Sequence, residues 1–262
     1  MKPEVIILGG RGFVGSAFVR RCREEGRDCL VVDVDNYREL QGRSCDLLIN
    51  ADGNSKKYLA RERPREDFQL SVVSVLSSLL DFHYRQYVYI SSVDLYPEHA
   101  KPEDSREGSG GEIEQASHYG LHKYLSESLV RHYAPHWLII RMGGVLGEGL
   151  KKNPVFDLIH DRPLRVDERS RYQYLLTDQV AEIVFRLARD GRDKEIFNLC
   201  GTGTVSLQEV RSWLKKPLRY ARKDVPREEY EINTEKISRL IDLPESRKVA
   251  REFIEKQISV KR

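Results

Sequence analysis

The segment EVIILGGRGFVG, residues 4–15, determines the fold that this sequence predicts. Its apolar run Val5–Leu8 predicts a buried strand, and the residues after the glycines can form a helix. Glycines at Gly9, Gly12 and Gly15 suit a turn with unusual dihedrals, a backbone that closely approaches a pyrophosphate, and a helix packed tightly on its strand. A glycine triplet alone is weak evidence, since glycine turns close many loops that bind nothing. We predict a dinucleotide site here because an acidic residue stands at a suitable distance downstream of the triplet.

That acidic residue, Asp33, ends the next apolar run, Cys29–Val32, eighteen positions after Gly15. This spacing is typical of the carboxylate that binds the ribose hydroxyls of NAD in a strand–turn–helix–strand unit. The same carboxylate repels the 2′-phosphate of NADP. We therefore expect NAD as the cofactor, with NADP as the alternative.

The composition is that of an ordinary globular protein. The chain has 262 residues, of which 40% are apolar and 32% charged, and its 44 basic and 41 acidic residues leave a net charge of +3. The basic residues are dispersed, so we expect no nucleic-acid partner. We also expect a cytoplasmic protein with no leader, no membrane span and no metal site. Four cysteines without ligand or CxxC spacing indicate reduced thiols: Cys22, Cys29, Cys45 and Cys200.

Strands and helices alternate along the chain, which predicts an α/β fold with a Rossmann-type doubly wound parallel sheet. Further predicted strands are residues 47–49, 87–90, 137–140 and 195–199, and the long predicted helices are residues 67–85, 117–133 and 178–188. About a dozen residues after Asp33 leave room for a loop or one helical turn before the third strand. Ser206 and Glu209 have the spacing of a capping box at a helix start.

The predicted domains follow this alternation. Residues 1–150, with about 172–205, are expected to form the dinucleotide-binding domain. Residues 151–171 and 206–262 are expected to form a small C-terminal substrate-binding lobe. Residues 97–116, rich in proline and glycine, are predicted to be a long loop, which is either a functional lid or disordered.

The second informative segment is HYGLHK, residues 118–123, inside a predicted helix. Tyr119 and Lys123 are four residues apart, so their side chains lie on one face of that helix. A neighbouring ammonium favours the phenolate and lowers the pKa of a tyrosine. Taken alone, such a pair is more often exposed and without function.

The motifs together resemble the extended short-chain dehydrogenase/reductases, and more narrowly the NAD-dependent epimerase/dehydratase family, which acts largely on nucleotide sugars. Besides the glycines and Asp33, the resemblance depends on Ser92 in SSVDLY, on Tyr119 with Lys123, and on Arg141 in IIRMGGVLGEG, and it covers residues 4–205. It implies that Tyr119 is the general acid/base. Lys123 would hold the nicotinamide ribose and lower the pKa of the phenol. Ser92 would donate a hydrogen bond to the substrate oxygen that becomes a ketone.

The resemblance also implies two sets of binding residues. The cofactor-binding set is Gly9, Arg11, Gly12, Phe13, Val14, Gly15, Asp33, Ala51, Asp52, Gly53, Ser91, Tyr119, Lys123 and Met142. The substrate-binding set is Ser92, Val93, Gly143, Asn153 and Arg171. Arg11 resembles an arginine that contacts the 2′-phosphate in NADPH-dependent fucose synthases, and its alternative is an exposed side chain stacking over adenine.

This sequence departs from the family pattern at three places. Val93 and Asp94 replace the Asp-Glu pair of the dehydratases, so we do not expect a 4,6-dehydratase, and Asp94 is either an acid/base or a turn residue. Tyr172 stands where the family often has an arginine that holds the diphosphate. Arg171 is one residue away, which on a strand means the opposite face. Arg169, Lys151 or Lys152 could supply that charge instead. Gly143 and Gly144 replace a Pro-Asn type pair of several sugar epimerases, and the substrate lobe is short. A smaller or differently held substrate is therefore an alternative to a nucleotide sugar.

The expected function is an NAD(P)-dependent enzyme that transfers hydride at a hydroxyl or keto carbon of a sugar-like substrate, as an epimerase or as a keto-sugar reductase. A non-catalytic dinucleotide-binding sensor or scaffold is the alternative from another class. The resemblance further implies a homodimer formed through helices 67–85 and 117–133.

Overall fold

The computed structural model describes residues 2–108 and 113–260. Gly110 and Gly111 of the predicted loop 97–116 lie outside the described residues. The chain divides into two compact units. The first unit is Met1–Pro97, Glu107–Met142 and Asp178–Phe197, and the second is Glu98–Arg106, Gly143–Thr177 and Asn198–Arg262. The assignment of a cofactor domain and a substrate lobe stays a prediction.

The strands alternate with helices along the chain. The strands are β1 Val5–Leu8, β2 Cys29–Val32, β3 Ser44–Asn50, β4 His83–Ser92, β5 Trp137–Met142, β6 Gly144–Leu146, β7 Arg171–Tyr172, β8 Tyr174–Leu176, β9 Glu195–Leu199 and β10 Val205–Ser206. The helices are α1 Gly15–Glu24, α2 Tyr37–Leu40, α3 Lys57–Glu62, α4 Pro64–Phe68, α5 Ser74–Asp81, α6 His118–Tyr133, α7 Pro154–Ile159, α8 Thr177–Arg189, α9 Leu207–Leu214, α10 Glu235–Ser238 and α11 Ser246–Val260. A π-helical segment, Gln69–Val73, joins α4 to α5.

Within the described residues, six strands form a parallel sheet in the order β2-β1-β3-β4-β5-β9. All four residues of β1 are buried, and Ile6 pairs with Leu30 on one side and with Leu48 on the other. A strand covered on both faces must be apolar throughout, which is what its sequence shows. The order places β1, which precedes the glycine turn, and β4, which ends at Ser92, on either side of β3. The predicted doubly wound α/β fold is confirmed.

The boundary between α5 and β4 differs from the prediction of a helix over residues 67–85. Phe82 already has an extended backbone and is 3% exposed. The next residues belong to β4, where Tyr84 pairs with Cys45 of β3. Pairing along the sheet and burial of the Phe82 ring outweigh the helical spacing of the apolar residues before it. Of the loop or single helical turn predicted after Asp33, the structure contains the turn, as α2.

The second unit contains two small sheets, in which β10 pairs antiparallel with β7 and β6 pairs parallel with β8. Tyr172 is buried and donates to Glu228 Oε2 at 2.7 Å, whereas Arg171 is exposed. The two residues therefore occupy opposite faces, as their spacing on a strand requires. The predicted capping box of Ser206 and Glu209 is present at the start of α9. Over residues 2–108 and 113–260, no helix has the length and apolar composition that a membrane crossing needs.

Candidate functional site

The glycine turn after β1 is closely packed at its glycine positions. The backbone N–H of Gly12 donates to the carbonyl oxygen of Gly9 at 2.9 Å. A Cβ at Gly15 would lie 2.0 Å from that same oxygen, and one at Gly12 would lie 3.0 Å from it. Gly9 has φ +71°, a left-handed conformation that suits glycine. Gly15 thus requires glycine for steric reasons, Gly9 suits glycine because of its backbone conformation, and a Cβ at Gly12 would make a tight contact.

The N-terminus of α1 has the properties of an anion-binding helix end. Val14 occupies the cap position and makes no side-chain cap, and the first turn carries no acidic residue. The carbonyl of Phe13 accepts a hydrogen bond from Ser16 Oγ at 3.2 Å, so the turn is fixed by its own first helical residues. An uncapped helix N-terminus preceded by a close-packed glycine turn fits the pyrophosphate of a dinucleotide.

Asp33 and Arg11 lie together at the end of β2. The backbone N–H of Arg11 donates to Asp33 Oδ2 at 3.3 Å, and its guanidinium lies 3.6 Å from the same oxygen. The guanidinium also donates to Asp35 Oδ2 at 2.6 Å. Burial raises the pKa of the Asp33 carboxyl, and the hydrogen bond and charge of Arg11 oppose that effect. The guanidinium predicted to face either adenine or a 2′-phosphate is thus paired with two carboxylates.

The polar exit of β3 lies beside Lys123 of α6. The backbone N–H of Ala51 donates to Leu8 at the end of β1, at 3.1 Å, and that of Asp52 donates to Asn50 Oδ1 at 3.0 Å. Gly53 has φ +119°, and a Cβ placed there would lie 3.9 Å from Lys123 Nζ. The exit of β3 and Lys123, which are distant in sequence, are therefore neighbours.

Lys123 is held by the end of β4. Its ammonium donates to Tyr89 Oη at 3.2 Å and to the carbonyl of Ile90 at 3.4 Å, and it lies 5.9 Å from the centre of the Tyr119 ring. The residue is only 5% exposed. Burial opposes its charge, but the Tyr89 and Tyr119 phenols outweigh burial, and the pKa of Lys123 lies above its ordinary value. These contacts thus favour the ammonium form inside the protein.

Tyr119 is 7% exposed. Burial raises the pKa of its phenol, and the Lys123 ammonium lowers it by less. The effect of Lys123 has the predicted sign, but the net pKa lies above the ordinary value, whereas the sequence predicted a lowered one. The difference arises because the sequence shows the neighbouring charge and not the depth of burial.

The position of α6 is set at its first turn. Ser117 caps the helix by accepting from the backbone N–H of Gly120 at 3.1 Å. A Cβ at Gly120 would lie 2.5 Å from the carbonyl oxygen of Asp94. Glycine therefore lets the helix approach the turn that follows β4, which brings Tyr119 close to that turn.

Ser92 and Asp94 bind each other. Ser92 Oγ donates to Asp94 Oδ2 at 3.1 Å and accepts from the backbone N–H of Asp94 at 3.2 Å, which caps the short 3-10 turn Val93–Leu95. Lys57 of α3 donates to Asp94 Oδ1 at 2.6 Å. Val93 is buried at 2% exposure. Asp94 is thus a turn residue and also a carboxylate beside Ser92.

Ser91 and Arg141 anchor α6 to the sheet through one carboxylate. Ser91 Oγ donates to Glu127 Oε1 at 2.6 Å, and Arg141 donates to the same carboxylate through two nitrogens, at 3.1 and 2.8 Å. Arg141 also donates to Tyr96 Oη at 2.7 Å. Met142, at the end of β5, pairs in register with Ser92. These contacts align β4, β5 and α6 around the site.

The remaining predicted substrate residues belong to the second unit. Gly143 donates to the carbonyl of Leu199 at 3.1 Å. Asn153 caps α7, accepting from Phe156 at 2.8 Å. Arg171 donates through Nε to Thr204 Oγ1 at 2.9 Å. The described contacts of these three residues are structural, and their contact with a substrate stays a prediction.

Two residues at this site were missed by the sequence reasoning. Tyr89 precedes Ser91 by two positions on β4, so the period-two pattern of a strand could have placed both on one face. Lys57 gave no such signal, because it lies in a charged segment and reaches Asp94 from another helix. The first unit therefore brings together Ser92, Asp94, Tyr119, Lys123 and Lys57.

This fold and this cluster define a Rossmann-type protein with a serine–tyrosine–lysine set. The model of the NAD dependent epimerase/dehydratase family matches residues 5–200, and the chain belongs to that family. A search of curated protein sequences finds no significant match.

Solved structures agree with this fold. A UDP-galactose 4-epimerase is 20% identical, with a TM-score of 0.78 over 98% of this chain and 99% of that one. A dTDP-4-dehydrorhamnose reductase from Bacillus anthracis in complex with NADP is 16% identical, with a TM-score of 0.79 over 98% and 99%. MoeE5 in complex with UDP-glucose and NAD is 16% identical, with a TM-score of 0.78 over 97% and 99%.

Proposed function

We propose that this protein is an NAD-dependent enzyme that transfers hydride at a hydroxyl or keto carbon of a sugar-like substrate. The observation that carries the proposal is the position of Lys123: its ammonium is buried, fixed by Tyr89 and Ile90, and directed toward both the Tyr119 ring and the exit of β3. A solvated surface pair at this spacing would be neither buried nor held by β4.

Tyr119 moves the proton in this proposal. Oxidation of a carbinol removes a proton from its oxygen, and reduction of a ketone returns one. A bound nicotinamide supplies the hydride acceptor or donor. Tyr119 accepts or donates the proton, Lys123 stabilises the phenolate, and Ser92 orients the substrate oxygen. The neutral phenol, favoured by burial, is the form that donates.

NAD is the proposed cofactor. The close-packed glycine turn and the uncapped N-terminus of α1 would hold its pyrophosphate. Asp33 would accept the ribose hydroxyls. The pairing of Arg11 with Asp33 and Asp35 supports NAD over NADP, because a 2′-phosphate would meet two carboxylates and compete with them for that arginine.

A nucleotide sugar is the proposed substrate. Proteins of similar structure include a UDP-galactose 4-epimerase and MoeE5 with UDP-glucose, which supports this class. A keto-sugar reductase is the second candidate, favoured by the similarity to the dTDP-4-dehydrorhamnose reductase. A non-catalytic sensor would not need a buried Lys123 beside Tyr119.

We also propose a homodimer. Apolar side chains remain exposed on the elements predicted to pair, with Leu70 44%, Leu80 61% and Tyr133 45% exposed. Covering such side chains is favourable. Sedimentation at micromolar protein should show a dimer, and a purely monomeric species would contradict this part of the proposal.

The experiment that tests the function is to denature freshly purified protein and identify any released nucleotide by chromatography. The intact protein is then tested for exchange with added NADH or NADPH. Stoichiometric NAD that does not exchange supports an epimerase, which regenerates its cofactor in each cycle. A site that takes up reduced cofactor supports a reductase. If neither dinucleotide is released or bound, the proposal is wrong.

A further inference from the structure

Lys57 is a charged group at this site that the proposed function does not use. Its ammonium donates to Asp94 Oδ1 at 2.6 Å, and the other oxygen of that carboxylate accepts from Ser92 Oγ at 3.1 Å. Asp94 therefore links an ammonium from α3 to the hydroxyl of Ser92. The Lys57 side chain is 54% exposed, whereas that of Asp94 is 15% exposed.

An ion pair with one exposed partner is ordinarily weak, so the position of Lys57 depends on how firmly its backbone is held. The segment before it is fixed by Asn54, whose side chain accepts from the backbone N–H of Lys56 at 2.7 Å and donates to the carbonyl of Lys56 at 2.9 Å. The same amide donates to Asp67 Oδ1 at 2.6 Å, and Asp67 Oδ2 lies 2.6 Å from His122 Nδ1.

Asp67 is fully buried, and His122 is on α6 between Tyr119 and Lys123. The helix that carries the tyrosine and the lysine is thus connected by buried hydrogen bonds to the segment that presents Lys57. A buried, hydrogen-bonded connection of this kind fixes the position of Lys57 relative to α6 more firmly than the surface ion pair could alone.

Charged and titratable groups of the described residues act on Tyr119 from the elements around it. Lys123 from α6 and Lys57 from α3 favour the phenolate. Tyr89 from β4 and Asp94 from the turn after β4 disfavour it. Without Lys57, the negative charge of Asp94 would disfavour the phenolate more strongly.

We propose that Lys57 is a positioning residue of the site around Tyr119 and that it acts through Asp94. It balances the negative charge of the Asp94 carboxylate and holds this carboxylate against the Ser92 hydroxyl. The inference rests on the proposed role of Tyr119 as acid/base. Asp94 remains a partner of Ser92 in this arrangement, and Lys57 acts through that carboxylate.

The test measures the ionisation of position 119 directly, without substrate. 3,5-Difluorotyrosine incorporated at position 119 alone gives a single fluorine NMR signal, and its fluorines lower the phenol pKa into a range that proteins tolerate. Lys57→Met should raise the midpoint of this titration by at least about half a pH unit. Lys57→Arg, which keeps the charge, should restore it. Lys56→Met, which removes an equal charge one residue away, should leave it unchanged.

The same titration in an Asp94→Asn background separates an action through Asp94 from a direct one. In that background Lys57 has lost the carboxylate with which it pairs, so Lys57→Met should shift the midpoint by less than half as much. No shift in the parent protein, or an equal shift in both backgrounds, would overturn the proposal. Since no turnover is measured, these outcomes are independent of whether the dinucleotide exchange experiment supports the proposed function.

Discussion

The glycine turn and the cluster of Ser92, Asp94, Tyr119 and Lys123 lie in the same unit but are determined in different ways. The turn is defined by the absence of side chains, because a Cβ at Gly15 would meet the Gly9 carbonyl at 2.0 Å. The cluster is defined by charges and hydroxyls from several elements, none of which fixes the site alone. Steric requirements of a backbone are therefore readable from a short motif, and electrostatic ones are not.

Tyr119→Phe should give the largest effect and tests the chemical part of this contrast. Removing the phenol oxygen should lower kcat by about 10²–10⁴-fold on the substrate that supports turnover, because the proton then has no positioned acceptor. Dinucleotide affinity, measured by NADH fluorescence, should change by less than about twofold because the glycine turn is untouched.

Tyr124→Phe on the same helix is the control and should retain turnover. The pH dependence of the rate is a second test of Tyr119, and its direction differs between oxidation and reduction. Since burial holds the pKa of Tyr119 above its ordinary value, the oxidation rate should rise with pH toward that value, where the phenolate base forms. The reduction rate should fall over the same range, because the acid form is lost. Unchanged kcat in Tyr119→Phe would remove this residue from the mechanism.

Arg141→Met tests the scaffold of the cluster. Glu127 is fully buried and receives two hydrogen bonds from Arg141, so the substitution leaves a buried carboxylate without its cation. The free energy of unfolding, measured in urea, should fall by about 3–5 kcal/mol. Combining it with Glu127→Gln should recover part of the loss, because the stranded charge is gone. A loss below about 1 kcal/mol in the single variant would show that the pair is not needed.

Much of the fold could be predicted from the sequence because it follows from local rules. The apolar run of β1, the glycine spacing and the capping box of Ser206 each predict structure over a few residues, and the structure confirms them. The start of β4 at His83 could not be found in this way, since pairing with β3 overrides a continuous helical pattern.

The candidate site was predicted less completely for the same reason. Residue types within one motif identified Tyr119 and Lys123, but the raised pKa of the Tyr119 phenol depends on burial by the whole fold. Lys57 reaches Asp94 across 37 positions of sequence. No periodicity encodes such a contact, and only the tertiary structure reveals it.

Gly15→Ala tests the steric part of the contrast. The new methyl group would meet backbone atoms rather than a flexible side chain, so the turn and α1 must shift. We expect the free energy of unfolding to fall by about 2–3 kcal/mol and dinucleotide binding to weaken with it. Gly108→Ala is the matched control, because an added Cβ there meets no atom of residues 2–108 or 113–260 within 4 Å. That control should stay within about 0.5 kcal/mol of the parent protein. Equal stabilities for the two variants would contradict the steric argument.

Asp33→Ser should give the smallest effect and concerns the one part of the turn region that depends on charge. Replacing the carboxylate removes the repulsion of a 2′-phosphate and frees Arg11 from one of its two acidic partners. The ratio of NADPH to NADH affinity, measured by fluorescence titration, should rise by about tenfold. Adding Arg11→Ala to Asp33→Ser should reverse most of this gain if the freed guanidinium binds the phosphate. If the gain persists without Arg11, the carboxylate acts by repulsion alone, and a parent protein that already prefers NADPH would contradict the assignment of NAD.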